Sequence, residues 1–271
     1  MRVISDQDHT FFNEHGYVIV QKAVPQSDLD ALLNMIDQCV GLAASTWYKP
    51  PHHSGSFVEA YQQQALWNTR QQPRVYQAFA DLHGTHKVGV GIDRCSMKLP
   101  WRKEHGEFGD ALPMHWDVDF RDREITLGLQ GVLAVTDTDE TMGGFACVPG
   151  SHRRIKEIIA RQPADHPNPM RPDLGEDQPV AIPMNAGDLL LWHVGLLHGS
   201  LRNNSDRPRF AQYIKMHPSR ADAAARKKQA QRFQSMQGHG FEKTNDRIIP
   251  PDQPPTLTPL GRKIAGIDAW D

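Results

Sequence analysis

One short stretch holds an imidazole and a carboxylate two residues apart. His115-Trp116-Asp117 follows Pro113 and is expected to lead into a strand. Residues i and i+2 of an extended segment point to the same side, so the two side chains converge on one point, as a chelated cation requires. Neutral imidazole with carboxylate suits a divalent ion of intermediate hardness such as Fe(II). The chain carries 14 histidines, so roughly one such pair is expected by chance. Taken alone, the pair is weak evidence, and its plain reading is a surface His and Asp bonded to water.

A chelate needs a third donor. The apolar run 189–200 contains His193 and His198, and burying either is costly unless it is paired or ligated. On one continuous strand the two would face opposite ways, but Gly195 can break that strand, so spacing leaves both open. Taken alone, each reads first as a satisfied core histidine. Further on, Arg209, Ala211 and Tyr213 alternate along one face of an expected strand. An arginine aimed into a barrel needs an anion, and its planar guanidinium matches a carboxylate bidentately. Arg207 is the alternative anchor, and a rim arginine paired with a nearby acid is the plain reading of either.

The elements that must hold these residues follow from local patterns. Ser5 is expected to cap a short helix through His15 that Gly16 ends, with a strand at Tyr17–Val20. Ser27 with Asp30 resembles a capping box ahead of Leu29, Leu32, Leu33 and Ile36 at helical spacing. After a loop with Pro50, Pro51 and Gly55, helices are expected over Glu59–Asn68 and Pro73–Leu82. From residue 86 the pattern changes to short runs bounded by Gly, Pro, Asn or Asp. These are Lys87–Leu99, Glu124–Thr136, Phe145–Val148, Pro179–Met184, Asp188–His193 and Arg209–His217. Many short strands with no regular helix between them predict an antiparallel barrel or jelly roll, not a doubly wound α/β sheet. The tail is expected to return to helix at Ala221–Met236 before the Pro-rich stretch at 250–255. The expected organisation is one domain over 1–271. It comprises a mostly helical support (1–85), a β core (86–217) and a helical, Pro-rich extension (218–271).

Composition narrows the function classes. Thirty Lys+Arg against 32 Asp+Glu leave a formal charge of −2, which offers no electrostatic case for a nucleic-acid or membrane partner. No apolar run approaches the ~18 residues of a spanning helix, and the start MRVISDQDHTFF lacks a secretory layout. Cys39, Cys95 and Cys147 are odd in number with no CxxC pair, so a disulfide scaffold and a thiolate zinc site are not expected and a cytoplasmic location is.

Five motifs in order extend the pattern: His115-x-Asp117, Gly143-Gly144-Phe145-Ala146-Cys147-Val148-Pro149-Gly150-Ser151-His152, Ala186-Gly187-Asp188, His198-Gly199-Ser200 and Arg209. Together they resemble the phytanoyl-CoA dioxygenase family of Fe(II)/2-oxoglutarate oxygenases, from the N-terminal helix and Gly-Tyr-Val to about His217. The resemblance implies a mainly β fold with flanking helices, a double-stranded β-helix (jelly-roll, cupin-like) barrel. By the same resemblance His115, Asp117 and His198 hold the iron. Arg209 with Ser200 would grip the distal carboxylate of 2-oxoglutarate, Gln130 would face cosubstrate or substrate, and Lys98 would meet the other end of 2-oxoglutarate. Trp116 stands where some relatives carry a smaller or polar residue and is expected, with Trp101, to wall the substrate pocket. The Gly-Gly and Pro-Gly-Ser-His elements are expected to be structural turns, with His152 a hydrogen-bonding corner residue.

The implied reaction consumes dioxygen and 2-oxoglutarate, releases succinate and CO2, and hydroxylates an unactivated C–H of a small-molecule substrate: a secondary metabolite, amino acid or lipid-derived acid. Asp117 argues against halogenation, since related halogenases carry a small residue there. Two alternatives use the same residues: a cupin-like barrel that binds a ligand without turnover, and a zinc hydrolase on the same metal site. The hydrolase gives Arg209 and Ser200 no role.

Overall fold

The computed structural model describes residues 2–48, 57–106, 108–163, 165–219, 222–236 and 248–271. The loop with Pro50, Pro51 and Gly55 lies outside the described residues, as does Ala221 at the start of the expected tail helix.

Helix α1 (Asp6–His15) carries the expected capping box: Ser5 Oγ accepts the Asp8 N–H and the Asp8 carboxylate accepts the Ser5 N–H. Gly16 ends it at φ 83°, a left-handed conformation that favours glycine. A Cβ there would also lie 2.5 Å from His152 Nδ1, so the position excludes a side chain twice over. Strand β1 (Tyr17–Val20) follows as expected. Helix α2 (Gln26–Val40) corrects the reading of Ser27: the chain is already helical at Gln26, directly after an extended Pro25, so Ser27 lies inside the first turn and caps nothing. The helix expected over Glu59–Asn68 is also displaced. Strand β2 (Phe57–Val58) precedes it, and helix α3 (Gln64–Arg70) starts later. Helix α4 (Pro73–His83) agrees with its expected span and places Pro in its first turn, where the missing N–H costs nothing.

The run Lys87–Leu99 divides into β3 (Val88–Gly91) and β4 (Cys95–Lys98). The break at 92–94 faces the buried Arg70, whose guanidinium donates to the carbonyls of Tyr61 and Asp93. The remaining strands are β5 (Leu112–His115), β6 (Leu129–Ala134), β7 (Phe145–Cys147), β8 (Val180–Ala181), β9 (Leu189–His193), β10 (His198–Ser200) and β11 (Arg209–Pro218). His115 therefore ends a strand instead of preceding one. A short helix, α5 (Ile155–Ala160), interrupts the expected run of strands, and α6 (Ala223–Gln234) and α7 (Pro259–Ile264) complete the described chain.

The strands form two antiparallel sheets. The larger, seven-stranded sheet runs β1-β9-β6-β11-β4-β2, with β3 also on β11; the smaller runs β5-β10-β7-β8. Alternation sorts their side chains into an outer and an inner set. On the outer face of the larger sheet Leu133, Leu189, Leu191, Phe210 and Ile214 pack against Leu32, Ile36, Leu66, Trp67 and Phe79 of α2, α3 and α4. Outside the smaller sheet Met114, Ala146 and Leu197 pack on Ile155 and Ile158 of α5. Between the sheets Val132, Ala134, Leu190, Trp192 and Ala211 meet Cys147, with Phe145 beside them. Two antiparallel sheets closed on an apolar interior, with helices outside, are the double-stranded β-helix. Among the described residues no helix is long and apolar enough to cross a membrane.

Candidate metal centre

Strands β5 and β10 are neighbours, with His198 paired directly to His115. This pairing brings the third donor to the His-x-Asp stretch. The donor atoms of His115, Asp117 and His198 lie within 4.8 Å of one another, and among the described residues this is where three such groups gather. His115 Nε2 is 3.3 Å from Asp117 Oδ1, and His198 Nε2 is 4.0 Å from Oδ2.

The imidazoles are oriented from behind. His115 Nδ1 lies 3.0 Å from the Pro113 carbonyl and His198 Nδ1 lies 3.0 Å from the Leu196 carbonyl. A carbonyl only accepts, so each Nδ1 carries the proton and each Nε2 presents a lone pair, as a ligand must. Gln130 donates its amide to Asp117 Oδ2 at 2.5 Å and so fixes the carboxylate. His198 is packed between the rings of Phe145 and Trp192, and burial pushes its pKa down to about 4. Burial also lowers His115, but the Asp117 carboxylate and the Pro113 carbonyl outweigh it and leave the pKa raised. Against its own burial, Asp117 is held well below the usual carboxylate range by His115, His198 and Gln130. Two imidazoles and a carboxylate, with the Asp117 side chain 39% exposed on one side, form an open nitrogen–oxygen site that fits Fe(II).

A second group of side chains lies deeper between the sheets. Arg209 and Lys98 face each other across β11 and β4, and they are 6% and 3% exposed. The guanidinium donates to Ser96 Oγ at 3.0 Å and to the Gly143 carbonyl at 3.1 Å, and its Nε has no partner. The Lys98 ammonium donates to Ser200 Oγ and the Leu201 carbonyl, both at 2.6 Å. Neither cation has an ion-pair partner among the described residues. Burial first and the neighbouring Arg209 second bring the Lys98 pKa down to about 7. Gly143, at φ 69°, allows the close approach: a Cβ there would lie 2.9 Å from Lys98 Cδ and 2.7 Å from the Leu201 carbonyl. Two buried cations beside hydroxyls, neither ion-paired among the described residues, could hold a small polyanion. Ser200 stands on the same short strand as His198, which links this group to the three-donor cluster.

The structure separates the alternatives that spacing left open. His193 lies away from the cluster: its Nδ1 accepts the Gly195 N–H, and its ring stands 5.2 Å from that of His152. Arg207 is on the rim, 3.9 Å from Asp139, while Arg209 points inward. Lys98 stands beside Ser200 and opposite Arg209. One expectation is corrected. Trp116 walls no pocket: it is 1% exposed, donates to the Gly195 carbonyl and packs on Phe120. The alternation that turns His115 and Asp117 inward sends the residue between them outward. Trp101 lies under the Arg202 guanidinium, 4.1 Å from it. His152 Nε2 contacts the Asn13 carbonyl at 3.3 Å, a corner contact of the kind expected. Ser96 went unread in the sequence, although its i, i+2 relation to Lys98 was the available signal. Ser151 also has a role that the sequence reading did not give it: its hydroxyl accepts the Leu197 N–H, next to His198.

The family model for phytanoyl-CoA dioxygenase (PhyH) matches residues 12–211. A Dictyostelium discoideum protein that carries the phytanoyl-CoA dioxygenase name is 23% identical over 78% of this chain and 75% of its own. An ectoine dioxygenase of Bordetella bronchiseptica is 27% identical over 51% of this chain and 48% of its own. Among solved structures, the non-heme α-ketoglutarate-dependent carbocyclase SnoK of nogalamycin biosynthesis superposes with a TM-score of 0.61 at 20% identity, covering 94% of this chain and 95% of that one.

Proposed function

The chain belongs to the phytanoyl-CoA dioxygenase family, and from that premise we propose that it is an Fe(II)- and 2-oxoglutarate-dependent oxygenase that hydroxylates an unactivated C–H bond of a small molecule. The observation that supports the reading is the buried Arg209–Lys98 pair, which has no ion-pair partner among the described residues, beside the His115–Asp117–His198 cluster. A ligand-binding barrel needs no such metal set, and a hydrolase has no use for two buried cations. Small-molecule chemistry is supported by the ectoine dioxygenase relative.

His115, Asp117 and His198 would hold the iron, and Arg209, Lys98, Ser200 and Ser96 would hold the distal carboxylate of 2-oxoglutarate. When bound, the iron and the oxo acid supply oxidative decarboxylation to succinate and CO2 and the oxidising power to break a C–H bond. The protein's own part is positional. Pro113 and Leu196 carbonyls keep each imidazole turned with Nε2 inward. Gln130 keeps Asp117 aimed. Trp192, Phe145 and Leu190 wall the interior with apolar surface, which excludes water and strengthens the grip of Arg209 on a carboxylate. The Asp117 carboxylate occupies the place that halide would need, which favours hydroxylation over halogenation.

The test is an anaerobic titration of the metal-free protein with Fe(II) and 2-oxoglutarate, following the visible metal-to-ligand charge-transfer band. The wild type is expected to give the band, His198→Ala to lose it and Arg209→Ala to require far more 2-oxoglutarate. Iron binding without the band in the wild type would sink the reading. Succinate release with product analysis then separates hydroxylation from other oxidations.

A further inference from the structure

Two polar atoms beside the metal centre have nothing to bond to. Among the described residues Trp192 Nε1 and Gln130 Oε1 are buried without a hydrogen-bond partner, on side chains that are 3% and 7% exposed. The two residues stand directly opposite each other on β9 and β6, so both side chains leave the same face of the larger sheet, the one turned toward the smaller sheet. Each lies against a different donor of the metal centre. The Trp192 ring is 5.1 Å from that of His198, and the Gln130 amide nitrogen donates to Asp117. The pair is also separate from the cosubstrate group. Ala134 faces Ala211, so Gln130 is roughly 13 Å of strand away from that level, and Arg209 lies beyond it on the far side.

The hydrogen-bonding roles of the pair are fixed. The Asp117 carboxylate only accepts, so the Gln130 nitrogen is the atom that faces it and Oε1 is left as an acceptor. An indole N–H only donates. A donor and an acceptor buried without partners are both costly, and protein interiors rarely keep them so. Neither carries charge. A carboxylate could take the indole hydrogen but would set its own lone pairs against Gln130 Oε1. An ammonium could serve Oε1 but would leave the indole unmet. A hydroxyl or an amide both donates and accepts, and so answers the two together. Around them the surface is apolar: Trp192 packs with Val132, Leu190 and Leu196, and the Phe145 ring stands 4.9 Å from its own.

We infer that the Trp192 N–H and the Gln130 side-chain carbonyl together receive a neutral hydroxyl or amide of the substrate, so that an uncharged, mostly apolar part of that molecule lies beside the metal centre. The inference rests on the oxygenase reading for its substrate, but its test does not depend on turnover.

The experiment uses protein loaded with Zn(II) and excess 2-oxoglutarate. Probes of one shape are titrated by ligand-observed saturation-transfer NMR: benzyl alcohol, benzamide, toluene, benzoate and benzylamine. In the wild type, benzyl alcohol or benzamide is expected to bind about fivefold or more tightly than toluene. W192F, which removes the N–H and keeps an aromatic ring, is expected to erase that margin while still binding toluene. Benzoate and benzylamine should differ little between the two proteins. The wild type also tests the inference by itself. With the favoured probe one of its six indole N–H resonances should move downfield, and with toluene none should. No margin over toluene, the result if an ordered water already satisfies the pair, would overturn the inference. So would a margin that survives W192F, or indole resonances that neither neutral polar probe moves. A wild type that shows the Fe(II)–2-oxoglutarate band without the margin refutes the role of the pair and leaves the oxygenase reading standing. The margin without the band refutes the oxygenase reading alone.

Discussion

Lys98 shows how one buried charge ties cosubstrate binding to pH. Its pKa, ordinarily 10.5, is lowered to about 7 by burial and then by Arg209. Between those values the unfolded chain carries a proton that the folded, ligand-free chain has lost, so this group makes stability rise with pH across that window. A bound dicarboxylate favours the ammonium and restores the proton. Binding above pH 7 should therefore take up a proton and weaken by up to about tenfold per pH unit. Calorimetry of 2-oxoglutarate binding at pH 8 to Zn(II)-loaded protein, in buffers of different ionisation heat, is expected to show uptake approaching one proton, lost in Lys98→Met. Pre-loading with metal keeps His115 and His198 from titrating in the same window. A pH-independent affinity in the wild type would mean that Lys98 stays charged throughout. Arg209→Met, by contrast, should cost affinity at every pH, since burial lowers the Arg209 pKa but leaves the guanidinium cationic in this range.

Among the elements, the short ones set the precision of the site. Strand β10 has three residues, too few to hold its own register, and it is fixed from outside: Ser151 Oγ accepts the Leu197 N–H at 2.9 Å in a fully buried contact. Ser151→Ala leaves that N–H unpaired, at about 1–3 kcal/mol. The melting midpoint should fall by roughly 2–12 °C, and metal affinity should fall with it because His198 is the next residue. A lower midpoint with unchanged Zn(II) affinity would show that the turn supports the fold and not the ligand. At the other end of the same corner, Gly16→Ala meets both a left-handed backbone and the His152 ring, and it should lower the midpoint while leaving the Fe(II)–2-oxoglutarate band intact once folded. These elements also mark what was legible. The capping box at Ser5 and strands such as β9 and β11 were readable, because their signals are local and long enough to dominate. Strands β5 and β10 were not, since Leu-Pro-Met-His and His-Gly-Ser carry no strand pattern and exist only by pairing with each other. Ser27 misled because a preceding proline had already set the helix start. At the site, alternation correctly joined His115 to Asp117, but the same rule should have turned Trp116 away from them, and it placed Ser96 beside Lys98 without being applied.

The molecule as a whole holds its site from behind. Residues 222–236 and 248–271, which lie beyond the family match, pack against the helices that cover the larger sheet. Phe233 of α6 stands edge-on to Trp67, 5.1 Å away, and Trp270 stacks on Tyr76 at 5.6 Å. The Gln71 side-chain oxygen, Oε1, accepts the Thr258 N–H at 2.8 Å, and Gln229 ties α6 to the Ile264 carbonyl. Trp67 is fully buried between this tail and the sheet that carries Arg209, Lys98 and Gln130. If tail and sheet unfold together, damage at the back reaches the front. Phe233→Ala removes a ring that is 9% exposed, at a cost of about 3 kcal/mol. The expected result is a midpoint lower by roughly 6–12 °C, with tryptophan fluorescence and loss of bound Zn(II) moving in one transition. Two separate transitions, with the metal retained through the first, would show that the tail is a layer the site does not need.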